Sequence, residues 1–100
     1  MLDLSKITGF EWDQGNLTKN LDKHQVTWPE CEQAFANRPR VISYDKIHSK
    51  SEQRYFILGM THAQRKLAIV FTIRGDKIRV ISARDQKRGQ EREQFIQAGD

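Results

Sequence analysis

From Lys66 to Arg84 the chain runs KLAIVFTIR, then Gly75-Asp76, then KIRVISAR, with apolar and polar positions alternating on either side of the pair. Glycine reaches positive φ without steric cost, so Gly-Asp between two such runs predicts a hairpin turn of the II′ or I′ kind. Folding at that turn pairs Ile73 with Ile78, Phe71 with Val80 and Ile69 with Ser82 on one face. The other face pairs Arg74 with Lys77, Thr72 with Arg79 and Val70 with Ile81. Side chains alternate across a strand, so the first face is almost wholly apolar and must be covered. The second is basic near the turn and apolar further away, which predicts a core on one side and an anionic visitor on the other.

The remaining pattern supplies the cover. Ile7 to Trp12 is a short extended run with Phe10 and Trp12 on one face, predicted to be an edge or near-edge strand; both rings are assigned to the core rather than to base stacking. Asp13 is placed to N-cap a helix whose stripe is Leu17 and Leu21, ending at Gln25. Thr27-Trp28-Pro29-Glu30 predicts a second helix: Thr27 as N-cap, Pro29 in the first turn, and Glu30 closing a capping box. Its buried face is Cys31, Ala34 and Phe35, and Asn37-Arg38-Pro39 stops it. Val41 to Asp45 reads as a strand, Lys46 to Glu52 as a polar loop, and Arg54 to Met60 as another strand in which Gly59 marks a bulge. A helix from about Gln90 carries Phe95 and Ile96. The predicted order β-α-α-β-β-β-β-α is an α+β fold with helices packed on an antiparallel-rich sheet, one domain over residues 1–100.

Composition sharpens this in two ways. Charge is uneven: residues 1–35 are acid-rich and hold no arginine, whereas 65–92 carry nine Lys/Arg against three acids, within a net charge of +4. A basic second half raises the expectation of a nucleic-acid or acidic partner. Second, the lone Cys31 cannot form an internal disulfide, and its neighbours Glu30, Glu32 and Gln33 would not activate a thiol, so it reads as an ordinary helix residue of a protein in a reducing cytoplasm. No apolar run is long enough to span a membrane, and no signal-peptide pattern opens the chain.

Candidate chemistry is narrow. His24, His48 and His62 lie in separate segments, no Cys-x-x-Cys or His-x-x-x-His occurs, and no Gly-rich phosphate loop or nucleophile elbow is present. What remains is Arg74 and Arg79 on the polar face of the hairpin, Arg65 and Arg84 at its ends, Glu52 and Arg54 beside the neighbouring strand, and Lys23-His24 closing the first helix. Cleaving RNA without a metal needs a base for the 2′-OH proton, cations for the phosphorane charge and an acid for the leaving oxygen. Glu or His serves as base, His or Lys as acid, and Arg as a bidentate phosphate clamp. Each residue also has a plain structural reading. Arg79 could be solvated surface, His24 a partner of the helix dipole, and Glu52 an ion-pair partner of Arg54.

Phe10-Glu11-Trp12-Asp13, Asn20-Leu21-Asp22-Lys23-His24-Gln25-Val26, Glu52-Gln53-Arg54-Tyr55 with Gly59, Arg65-Lys66-Leu67, Val70-Phe71-Thr72, Arg74-Gly75-Asp76, Arg79-Val80-Ile81-Ser82-Ala83-Arg84 and Glu91-Arg92 with Phe95 stand in an order and spacing that resembles the BrnT-type toxins. These are the ribonuclease halves of bacterial type II toxin–antitoxin pairs, and the likeness runs from about residue 9 to 95. It implies a RelE-like fold and an endoribonuclease that cleaves RNA, ribosome-associated or free, and so halts translation. It also implies neutralisation by a BrnA-type antitoxin, with operator DNA contacted only through that antitoxin and with no cofactor, metal or membrane. On matching positions it implies catalytic roles for Lys23, His24, Glu52, Arg54, Arg65, Arg79 and Arg84, with Arg74 and Lys77 binding RNA. The rival reading is a non-catalytic module of the same fold that binds RNA, the ribosome or the antitoxin. The chain departs from the family at Gln86-Lys87, where the last helix usually opens on smaller residues, in one extra residue before Glu91-Arg92, and in Phe95 for the usual Tyr.

Overall fold

The computed structural model describes residues 2–47 and 49–99, with the backbone alone for Lys19 and Asn20; His48 lies outside the described residues. The elements are β1 (Gly9–Phe10), α1 (Gln14–His24), α2 (Trp28–Ala36), β2 (Val41–Tyr44), β3 (Tyr55–Met60), β4 (Lys66–Arg74), β5 (Lys77–Asp85) and α3 (Gln90–Ala98), preceded by a 3₁₀ turn at Leu4–Lys6. The order of strands and helices is the one expected. The five strands lie β1-β5-β4-β3-β2, antiparallel throughout except for the short β1, which runs parallel to β5 along its edge.

Local chemistry explains the helix starts. Asp13 Oδ1 accepts the Asn16 N–H at 2.9 Å, while Asn16 Oδ1 accepts the Asp13 N–H at 2.7 Å, a reciprocal cap. At α2 the Glu30 N–H donates to Thr27 Oγ1 and Glu30 Oε1 accepts the Thr27 N–H, the expected capping box with Pro29 in the first turn. Cys31, Ala34 and Phe35 are buried as expected. They meet Ile57, Leu67, Ile69, Phe71, Ile78 and Val80 in the main core. Phe10 and Trp12 stack on its margin. The stripe of α1 behaves differently: Leu21 is 47% exposed and, with half-exposed Trp28, Leu17 and Pro29, borders an apolar surface hollow rather than the core. Among the described side chains of α1 the buried one is Asn16, whose amide donates to the Glu11 and Val80 carbonyls.

The hairpin closes at Gly75-Asp76, with Gly75 at φ 62° and Asp76 outside the left-handed region, as a II′ turn requires. Near the turn the expected pairs hold: Ile73 with Ile78, Thr72 with Arg79, Phe71 with Val80. Beyond them the register shifts, so that Val70 faces Ser82 and Ile69 faces Ala83, leaving Ile81 as the extra residue of a bulge. The expected pairs Val70–Ile81 and Ile69–Ser82 are therefore replaced. Gly59 is not a bulge; it pairs regularly with Leu67, and a Cβ there would lie 2.5 Å from the Ala34 carbonyl oxygen, so it marks the close approach of α2 to β3.

The bulge decides which side chains share a face. Arg79 and Arg84 are five residues apart, so a regular strand would point them oppositely. One extra residue returns them to the same side, while Val80 and Ala83 both stay buried in the core. On that second side α3 covers one end of the sheet, where Phe95 packs with Leu58 and Ala68. The rest of the face carries none of the three helices; within it Thr72 is buried, its hydroxyl donating to the Gln53 carbonyl. Gln86 is buried and donates from Nε2 to the Gly59 and Leu67 carbonyls, bonding the β5–α3 connection to the sheet.

Candidate active site

The second side of the sheet is organised in rows perpendicular to the strands. Nearest α3 lie Leu58, Ala68 and Arg84; next come Ser43, Phe56, Val70 and Ser82; then Arg54, Thr72 and Arg79; and Arg74 with Lys77 lies at the turn. The middle rows border a groove of about 560 Å³ running between Arg54 and Arg84.

At the turn end the charges alternate. Arg79 Nη2 meets Asp13 Oδ2 at 2.7 Å and Arg79 Nη1 meets Glu11 Oε1 at 3.2 Å. Arg74 bridges the same Glu11 (3.6 Å) to Glu52 (3.7 Å), and Glu52 then meets Arg54 at 3.5 Å. The N–H of Asn16 and then the Arg79 guanidinium hold the Asp13 carboxyl below its ordinary range, and Asp13 in turn raises Arg79. Among the described residues Arg54 is the least engaged of these arginines: its one ion pair there is long, and its Nε is buried without a hydrogen-bond partner. At the α3 end Arg84 forks onto Glu91 with two 2.9 Å bonds and sits 6.0 Å from the Phe56 ring centroid.

Glu52, Arg54, Arg74, Arg79 and Arg84 thus share one face. Lys77 turns toward the sheet edge, donating to Thr8 Oγ1 at 2.6 Å. Lys23, His24 and Arg65 gather at the opposite end of the hairpin. There every donor nitrogen of Arg65 is engaged: Nε with Asp85 at 2.7 Å, Nη1 with the Gln25 carbonyl and Glu30, and Nη2 with the His24 carbonyl and Asp85. Arg65 therefore ties the ends of α1, α2 and β5 together. Lys23 is exposed on the last turn of α1. Sequence reasoning missed Glu11, Asp13 and Glu91 as partners and Phe56 as a groove residue. The alternation Arg54–Phe56–Leu58 was the available signal for the last. Cys31 is buried in the core, and that burial, with Glu30 and Glu32 nearby, pushes its thiol up to about 12.

These ion pairs set an acid limit on stability. Arg65 holds Asp85 below the ordinary carboxylate range against the effect of burial. Burial pulls Glu30 upward, but the bonds from Thr27 and Arg65 outweigh it and leave it lowered; Arg84 lowers Glu91. Groups whose folded pKa is depressed stabilise the fold above their unfolded pKa, and that contribution is lost as pH falls through the folded value. Melting temperature is therefore expected to hold from pH 7 down to about 5 and to drop below pH ~4, the ordinary carboxylate range. A scan by circular dichroism checks this; a melting temperature that rises on going below pH 4 would refute it.

The described residues thus form an α+β domain with one arginine-lined sheet face. The particular family is shown by comparison: the model of the ribonuclease toxin BrnT, of type II toxin–antitoxin systems, matches residues 12–90. The chain belongs to that family. Among individually curated proteins none matches it. No described helix is long and apolar enough to cross a membrane.

Proposed function

We propose that the protein is a metal-independent endoribonuclease of RelE-like fold whose reaction runs on the open sheet face, acting in the cytoplasm to stop translation until a BrnA-type antitoxin neutralises it. The observation that carries this reading is the gathering of Glu52, Arg54, Arg74 and Arg79 on one face of a ribonuclease-toxin fold. Glu52 takes the 2′-OH proton; the 2′-oxygen attacks the adjacent phosphorus, the bond to the 5′-oxygen breaks, and that oxygen takes a proton from solvent on the open face. The products are a 2′,3′-cyclic phosphate and a 5′-hydroxyl. Arg54, with donors to spare, is the phosphate clamp, and Arg79 adds charge once a phosphate displaces Glu11 or Asp13. Lys23, His24 and Arg65 stand apart from this chemistry, and Arg65, bonded to Asp85, Glu30 and the His24 and Gln25 carbonyls, holds the far end of the hairpin.

Purified protein incubated with RNA in EDTA tests it. Cleavage to cyclic-phosphate ends is expected, and Arg54→Ala should lower the rate by about 10- to 100-fold, the loss of one or two charge-assisted bonds, with an unchanged melting temperature. RNA left whole while still bound would instead favour the non-catalytic module. The antitoxin is expected to cover Arg54 and Arg79; a complex leaving both open would rule out occlusion as the inhibitory mechanism.

A further inference from the structure

We propose that the groove between Arg54 and Arg84 is a subsite for one unstacked nucleotide, which confines the protein to single-stranded RNA. The inference rests on the ribonuclease reading for the identity of its ligand; it shares Arg54 with the cleavage chemistry but otherwise stands on Phe56, Val70, Ile81, Ser82 and Arg84.

The floor of the groove is the row Ser43–Phe56–Val70–Ser82, four side chains in register across β2, β3, β4 and β5. The bulge adds Ile81 to the same lining, so an aromatic ring and two branched aliphatics form an apolar platform edged by two hydroxyls. Such a surface has no use for a phosphate, yet cations stand on both sides of it. Successive same-face rows are roughly 7 Å apart. Arg54 therefore lies one row to one side of the platform and Arg84 one row to the other. An apolar floor between two guanidinium groups matches the face of a base flanked by its two phosphates, and a volume of about 560 Å³ is ample for one nucleotide.

Two features make the site preformed. Glu91 fixes the Arg84 fork at the margin of the platform, its guanidinium carbon 6.0 Å from the Phe56 ring centroid, so the cation need not be ordered on binding. Beyond Arg84, α3 covers the sheet with Phe95 on Leu58 and Ala68, and from Arg84 the groove runs to Arg54 with Tyr44 and Asp45 on its β2 side. A strand therefore reaches the platform from the side away from α3. A duplex cannot do so. Its bases are stacked and paired inside, and A-form RNA offers proteins its backbone and shallow groove rather than a base face.

The test is fluorescence anisotropy with the full chain and a labelled 2′-O-methyl oligoribonucleotide, which cannot be cut, as a single strand and annealed to its complement. The single strand is expected to bind at least tenfold more tightly than the duplex. Phe56→Leu, which keeps an apolar side chain where Phe56 also packs, should weaken single-strand binding about tenfold through the lost stacking. Ser82→Phe, which fills the groove from its polar edge, should do the same, with duplex binding and melting temperature unchanged in both. Equal affinity for the two forms, or full-strength single-strand binding by Ser82→Phe, overturns the subsite. That result can coexist with cleavage of unmodified RNA, in which case the nuclease reading stands alone. Selective single-strand binding without any cleavage upholds the subsite and removes the nuclease. An anisotropy signal lost in Arg54→Ala but indifferent to both groove variants also overturns the subsite, because phosphate contact alone would then explain binding.

Discussion

Replacing Gly59 by alanine is expected to lower the free energy of unfolding by about 3 kcal/mol, at the upper end of ordinary over-packing. The reason is a collision with backbone. The new Cβ would sit 2.5 Å from the Ala34 carbonyl oxygen and 3.1 Å from the Ala34 Cβ, deep in the α2–β3 contact. A side chain could rotate away, but a helical carbonyl cannot, so α2 must move as a body. It is poorly placed to move. Its first turn is held by the Thr27–Glu30 box and, through Glu30, by Arg65; its middle is packed by Ala34 and Phe35 against Ile57 and Phe71. For a domain of 100 residues such a loss should lower the melting temperature by roughly 12–20 °C. Urea denaturation of wild type and Gly59→Ala checks it. A difference under about 0.5 kcal/mol, the range of an indifferent surface change, would mean that α2 does not lie as close to β3 as the structure places it.

Gly59 also shows where sequence reasoning stopped. A glycine inside an apolar strand signals either a bulge or a close approach, and nothing within RYFILGM separates the two. The deciding atom belongs to Ala34, twenty-five residues away in sequence. The true bulge, at Ile81, has no marker: Arg-Val-Ile-Ser-Ala-Arg contains no glycine, and the extra residue exists because Val80 and Ala83 both fit the core. By contrast, the turn at Gly75-Asp76, the Asp13 cap and the Thr27–Glu30 box were legible because each is completed by residues three or fewer positions apart. The candidate site divides in the same way. Its residue types and the polar side of the hairpin could be read from alternation. Which arginines remain available could not, because Glu11, Asp13, Glu30, Asp85 and Glu91 reach them through tertiary contact. Leu17 and Leu21 fell on the other side of that line: their spacing is helical, but α1 lies against β5 with Asn16 inward, so the apolar pair stays at the surface.

Arg65→Ala is expected to separate stability from chemistry. The substitution removes the partner of Asp85 and Glu30 and the donor to the His24 and Gln25 carbonyls at once. Breaking a fully buried pair costs about 3–5 kcal/mol. Here the Arg65 side chain is 28% exposed and that of Asp85 64%, so solvent takes over part of the lost interaction, and about 2–3 kcal/mol is the appropriate size. Arg65→Lys should recover only a small part, since an ammonium is a point charge and cannot fork across two carboxylates and two carbonyls. RNA cleavage per folded molecule, measured well below the lowered melting temperature, should stay within about twofold of wild type, because no group on the open face depends on Arg65. Arg54→Ala is the converse case, losing cleavage with little loss of stability. If Arg65→Ala melted like wild type yet no longer cut RNA, the reaction would have to be relocated to the Lys23–His24–Arg65 end of the hairpin. The open face would then be left with binding alone.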